Sequence, residues 1–172
     1  MQDTPFAILA PVPLEHLESA QTIAGDVPYI AFGSQKWELF RAIDEERAGS
    51  PVPVLIYPSH DEHTSESPYV VGWSGWYVSS TDDNSKKYRD QRDGRRPPTT
   101  AQCTTDTVSH WAVFWHIANL TRLPPAKRRP ISELHSYRSG ANRKAGAPRG
   151  PERIERPSDF DFGPGPNAYG GD

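Results

Sequence analysis

The chain reads as one mixed α+β domain followed by a basic, Gly/Pro-rich tail. Three observations predict this. Short apolar, β-branched and aromatic runs recur at Phe6–Val12, Val27–Phe32, Val52–Tyr57, Tyr69–Ser80 and Ser109–Asn119, the composition of strands. Two stretches between them carry apolar residues at helical spacing. After Ser139 the chain is glycine, proline and charge, which cannot bury enough apolar surface to order itself. A length of 172 residues suits one domain plus a tail. We therefore place the domain at 1–138 and a largely disordered tail at 139–172.

Each element has its own signal. Phe6–Val12 is a strand limited by Pro11 and Pro13, so it is expected at an edge. Leu14, Leu17 and Ala20 predict a helix over Leu14–Ile23, with Pro13 just before its start. Val27–Phe32 is a second strand. Ser34 then suits the N-cap of a helix over Gln35–Ala48, whose face carries Trp37, Phe40 and Ile43 and which Gly49 closes. Val52–Tyr57 is almost wholly apolar, as in a strand buried on both faces. Thr81–Thr107 is polar, lacks a period and reads as a long loop. In Ser109–Asn119, alternation sets Trp111, Val113, Trp115 and Ile117 on one side of a strand.

The stretch Tyr69–Ser80, YVVGWSGWYVSS, is the most informative. Glycine inside a strand marks a bulge or the close approach of another group. Gly72 and Gly75 stand among Trp73, Trp76 and Tyr77. Two readings remain open: a core strand, or the wall of an aromatic pocket for a flat ligand. Trp111 and Trp115 are likewise both core or both wall. The five tryptophans weigh toward ligand binding, because an indole N–H needs a partner and an aromatic face stacks on a base.

Charge is uneven. The net charge is -3, yet from Lys127 to Arg156 basic residues far outnumber Glu133, Glu152 and Glu155. A basic tail on an acidic body suggests a polyanionic partner, or else a merely solvated tail. One cysteine, Cys103, leaves no internal disulfide and points to a reducing, cytoplasmic setting. There is no signal-peptide pattern and no apolar run long enough to span a bilayer, so no membrane partner is expected. His60-Asp61-Glu62-His63 is a loop without a second ligand cluster, and no metal is expected there. Pairing of Cys103 with His110 or His116 lacks a surrounding signature. No Gly-rich phosphate loop occurs, so no cofactor is expected.

Strand, helix, VPYIAFGSQKWELF, VPVLIYPS and the glycine-bearing VVGWSGWYV occur in an order that resembles the PUA-like superfamily, in its EVE, YTH and ASCH forms. The resemblance spans residues 6–137. The long insert and the basic tail depart from it. It implies a small β-barrel with peripheral helices that reads a modified base in DNA or RNA. It further implies pocket residues at Ser34, Lys36, Trp37, Tyr57, Ser59 and Trp73 to Tyr77.

The expected activity is therefore a nucleic-acid-binding module that holds a modified or flipped base in an aromatic pocket. Ser34, Trp37, Tyr57, Ser59, Trp73, Ser74, Trp76, Tyr77 and Trp115 would contact the base. Arg92, Arg95, Arg96, Lys127, Arg128 and Arg129 would hold phosphates, which supplies affinity without sequence choice. Two alternatives stand beside it. One is a small hydrolase or amidohydrolase acting on a nucleoside or amide, with Lys36, Glu38 or His116 in catalysis. The ASCH enzymes also want a threonine that this chain does not place. The other is a protein-interaction module.

Overall fold

The computed structural model of the chain describes residues 3–59, 69–137 and 150–166. Its elements are β1 (Phe6–Pro13), α1 (Leu14–Ile23), β2 (Ile30–Ser34), α2 (Trp37–Arg47), β3 (Val52–Ser59), β4 (Val70–Val71), β5 (Trp73–Thr81), α3 (Asn84–Arg92), α4 (Pro98–Ala101), β6 (Val113–Arg122), β7 (Arg129–Pro130) and β8 (Glu152–Glu155). Six strands form one curled, half-barrel sheet in the order β2-β6-β5-β3-β1-β8. β1 and β3 run parallel, and every other pair in this sheet is antiparallel. The architecture is thus mixed α+β. Among the described residues no helix is long and apolar enough to cross a membrane.

Both faces of the sheet are buried. Alternate residues of β1 (Phe6, Ile8, Ala10), β3 (Val52, Val54, Ile56) and β6 (Val113, Trp115, Ile117) meet Leu17 of α1 and Phe40 and Ile43 of α2. The intervening residues Ala7, Leu9, Leu55 and Tyr57 pack on the other face against Val71, Leu123, Ile131, Leu134 and Ile154. β3 reads as a continuous apolar run because it is covered twice.

α1 begins behind Pro13 and ends at Ile23, with Leu17 and Ala20 turned inward. α2 starts later than the spacing suggests. Ser34 does not cap it; the Ser34 Oγ accepts from the Lys36 N–H at 3.1 Å, a local turn that leaves Lys36 as the residue before the helix. Trp37 is 40% exposed, off the core face. The helix ends on Ala48 in the left-handed region, at φ 50°.

β5 carries two bulges, one between Ser74 and Trp76 and one between Tyr77 and Ser79. A Cβ on Gly75 would stand 2.5 Å from Ile117 Cγ2. Here glycine admits the close approach of β6, as its place in the strand suggested.

Two stretches differ from expectation. The insert after β5 is not all loop: Asp83 caps α3 by accepting from the Ser85 N–H at 2.7 Å. Its inward residues are Lys87 and Asp90, charged side chains that leave no apolar stripe in the sequence. Residues 150–166, expected in the tail, instead supply β8 on the edge of β1 and set Phe160 and Phe162 against the second core cluster. They order because Ile154 fills an apolar gap that β1 and the Ile131–Leu134 turn leave open. Residues 138–149 and 167–172 of the expected tail lie outside the described residues, as does the His60–His63 loop.

Two stability changes follow. Ile154→Ala should cost about 2–5 kcal/mol in urea unfolding, as for a core residue, whereas a detached tail would show almost no loss. Ala48→Gly should gain about 1 kcal/mol, because a Cβ is strained in the left-handed region.

Candidate ligand pocket

A cavity of about 480 Å³ opens at the C-terminal ends of the parallel pair. Its rim is Pro11–Pro13 of β1, Ser59 of β3 and Phe32–Ser34 of β2. His16 of α1, Arg96 and Thr100 of the insert, Trp111, Trp115, Lys36 and Gly150–Pro151 close it. Its size and mixture of aromatic and polar walls suit a small organic ligand.

The aromatic walls are held from several sides. Trp115 is 1% exposed and packs on Phe32 and Phe40, at ring separations of 5.5 and 5.4 Å. Trp111 lies flat on the backbone of Gly33, where a Cβ would sit 2.5 Å from Trp111 Cγ. Its indole N–H donates to Asp106 Oδ1 at 3.3 Å, and its carbonyl accepts from Lys87 Nζ at 2.6 Å. The Gln35 amide donates to the His110 carbonyl at 2.8 Å and accepts from the Ala112 N–H at 3.1 Å, which fixes the chain on both sides of the indole. Burial lowers the pKa of Lys87, although Asp82 and Asp83 oppose this.

Charge inside the pocket is compensated. Arg96, 4% exposed, pairs with Asp106 and donates to the Ala31 carbonyl at 2.6 Å. His16 Nδ1 is 2.8 Å from Thr99 Oγ1. Burial lowers the His16 pKa; Glu15 and Asp106 raise it and Arg96 lowers it. The ring is therefore neutral at pH 7. Lys36 is the cation at the mouth, and its Nζ donates to the Pro151 carbonyl at 3.1 Å. A charge-balanced, aromatic interior, with Lys36 the cation at its mouth among the described residues, suits a neutral flat group better than a free phosphate.

Of the residues expected to contact a base, the cavity brings together Ser34, Ser59 and Trp115. Tyr57, Trp73 and Tyr77 are each 0% exposed within the core clusters and do not line the cavity. The Tyr77 hydroxyl donates to Asp44 Oδ1 at 2.9 Å. Burial, with Asp44 beside it, raises the pKa of that hydroxyl far above its usual value. Trp37 faces a separate surface cleft beside Arg41. Ser74 lines another with Lys127, and Trp76 a third with Arg156 and Phe162.

Of the expected phosphate contacts, Arg96 lines the cavity as part of a buried ion pair. Arg95 is committed to Tyr29 and Asp90, Arg128 donates to the Leu123 carbonyl, and Arg129 pairs with Asp159 and Glu133. Arg92 and Lys127 stand exposed, and Arg92 Nε donates to Asp93 Oδ1 at 3.1 Å. Sequence reading did not single out Phe32, His16, Gln35 or Thr100. Trp111 was weighed with Trp115, and its signal was the glycine after Phe32. Among the described residues no group of three His, Cys, Asp or Glu side chains is placed to hold a metal. Cys103 is exposed, and its thiol donates to the Thr99 carbonyl at 3.4 Å.

Gly33→Ala should push Trp111 off the β2 backbone, change the near-UV circular dichroism and cost about 1–3 kcal/mol. An unchanged spectrum would show that the indole is not seated there. No family model, curated protein or solved structure matches the chain.

Proposed function

We propose that the chain is a PUA-like nucleic-acid-binding module that holds one modified or flipped base in the cavity at the ends of β1, β2 and β3. The observation that carries this reading is the overdetermined placement of Trp111, which lines the cavity together with Phe32 and Trp115 around a charge-balanced interior. Such an aromatic lining stacks on a base extruded from its strand. Ser34, Ser59 and His16 would meet its polar edge. Lys36 at the mouth, with exposed Arg92 and Lys127, would meet phosphates, which sets affinity and salt dependence. The order of strands and helices and the curled sheet support the PUA-like assignment. Glu38, offered as a partner of Lys36 in a hydrolase, does not line the cavity.

The test is fluorescence anisotropy with short DNA and RNA, plain and base-modified, at two salt concentrations. One modified base should be preferred, and the preference should survive higher salt. Trp111→Ala should lose about 1–3 kcal/mol of that preference, roughly fivefold to 150-fold, while weak salt-dependent binding remains. Equal loss for plain and modified strands, or no preference in the wild type, would overturn the reading.

A further inference from the structure

One residue beyond Trp115, on the other face of β6, lies a polar cluster that base binding does not use. His116 is 2% exposed. Its Nε2 is 2.8 Å from Asp90 Oδ2 and its Nδ1 is 2.6 Å from Ser79 Oγ. A carboxylate only accepts, so Nε2 carries the proton and Nδ1 takes the hydrogen bond from the Ser79 hydroxyl. Serine, imidazole and carboxylate thus stand in the order that activates a nucleophilic hydroxyl.

Asp90 is itself held. Its Oδ1 accepts from the Tyr29 hydroxyl at 2.6 Å, Arg95 donates to that hydroxyl, and Arg95 Nη1 stands 3.8 Å from Asp90 Oδ1. The Tyr29 ring stacks on the imidazole with centroids 3.9 Å apart, which locks the ring plane. Burial opposes ionisation of Asp90, but hydrogen bonds from His116 and Tyr29 and the Arg95 charge outweigh it and hold the carboxyl below its usual range.

The second bulge in β5 creates this alignment. Tyr77 pairs with Ile117 and Ser79 with His116, so Val78 is the extra residue. Without it, alternation would turn residue 79 to the face of Tyr77. With it, Ser79 joins His116, and Ser80 turns to α2, where its hydroxyl donates to Asp44 Oδ2 at 3.0 Å. A bulge that re-aims one side chain is a recurrent feature beside reactive groups. Ser79 is half-buried, at the point where β5 leaves the core.

We propose that Ser79 is a nucleophilic serine, served by His116 as base and Asp90 as its orienting carboxylate, and that it accepts acyl groups from small activated esters. Ser79 Oγ bonds to the ester carbonyl carbon while its proton passes to His116 Nδ1. The tetrahedral oxyanion then collapses and the C–O bond to the alcohol breaks. The leaving alkoxide takes the proton from His116, which leaves acyl-Ser79. Water attacks the acyl carbon by the same path and releases the acid and free Ser79.

The full chain is incubated with a fluorophosphonate and, separately, with p-nitrophenyl acetate. Phosphonylation expels fluoride as the Ser79 proton passes to His116. We expect one phosphonyl group per chain on the Ser79 peptide and release of p-nitrophenol. Ser79→Ala should abolish the label. His116→Gln and Asp90→Asn should each slow labelling by roughly a hundredfold or more, the usual contribution of a general base. Near-UV circular dichroism separates a chemical loss from misfolding, and Ser79→Cys, which keeps the shape, should trap iodoacetamide faster than Cys103 does. Absence of label on the folded wild type, or equal labelling of Ser79→Ala, overturns the proposal.

Discussion

The structure around the cavity depends on one buried ion pair, Arg96 with Asp106. Arg96 also donates to the Ala31 carbonyl, and the Ala31 N–H donates to the Arg95 carbonyl at 2.9 Å. Two residues of the insert therefore occupy the free edge of β2 and satisfy its backbone, which would otherwise invite pairing with another chain. The same carboxylate takes the Trp111 indole N–H. Breaking such a pair by removing one partner costs several kcal/mol, since the other charge stays buried. Edge protection, insert docking and the aromatic wall are thus one interaction seen from three sides.

That arrangement shapes the chemistry available. Because Asp106 cancels Arg96 and His16 is neutral, the interior attracts no phosphate strongly, while its walls offer aromatic area. The backbone of nucleic acid would have to be met outside, by Lys36 at the mouth and by exposed cations elsewhere. On the opposite face of β6, His116 meets Ser79 of β5 and Asp90 of α3, so one strand separates an aromatic cavity from a polar relay. Alternation along β6, with Trp115 on one side and His116 on the other, sets both.

Much of the framework was legible in the residues. The apolar runs became β1, β2, β3, β5 and β6, because β-branched and aromatic residues at period two fit a half-buried pleat. Leu14, Leu17 and Ala20 announced α1. α3 was hidden because its inward positions are Lys87 and Asp90, whose partners lie far away in sequence. β8 was hidden because Glu152, Arg153 and Glu155 surround a single inward Ile154. In the cavity, alternation told which tryptophans share a face but not which face meets open space. Trp73 and Trp115 look alike in sequence, yet only Trp115 borders the cavity. Ser34 and Ser59 end β2 and β3, which run in opposite senses; the curl of the sheet, which the sequence does not show, brings them to one cavity.

The central claim is that the cavity lined by Trp111 and Trp115 is the base receptor. Nitrogen-15 spectra of the five indole N–H groups test it directly during titration with an oligonucleotide carrying the preferred base. The Trp111 and Trp115 resonances should shift in a saturable way while Trp37 and Trp76, on other surfaces, stay in place. Saturable shifts at Trp37 or Trp76 with Trp111 unmoved would contradict the account.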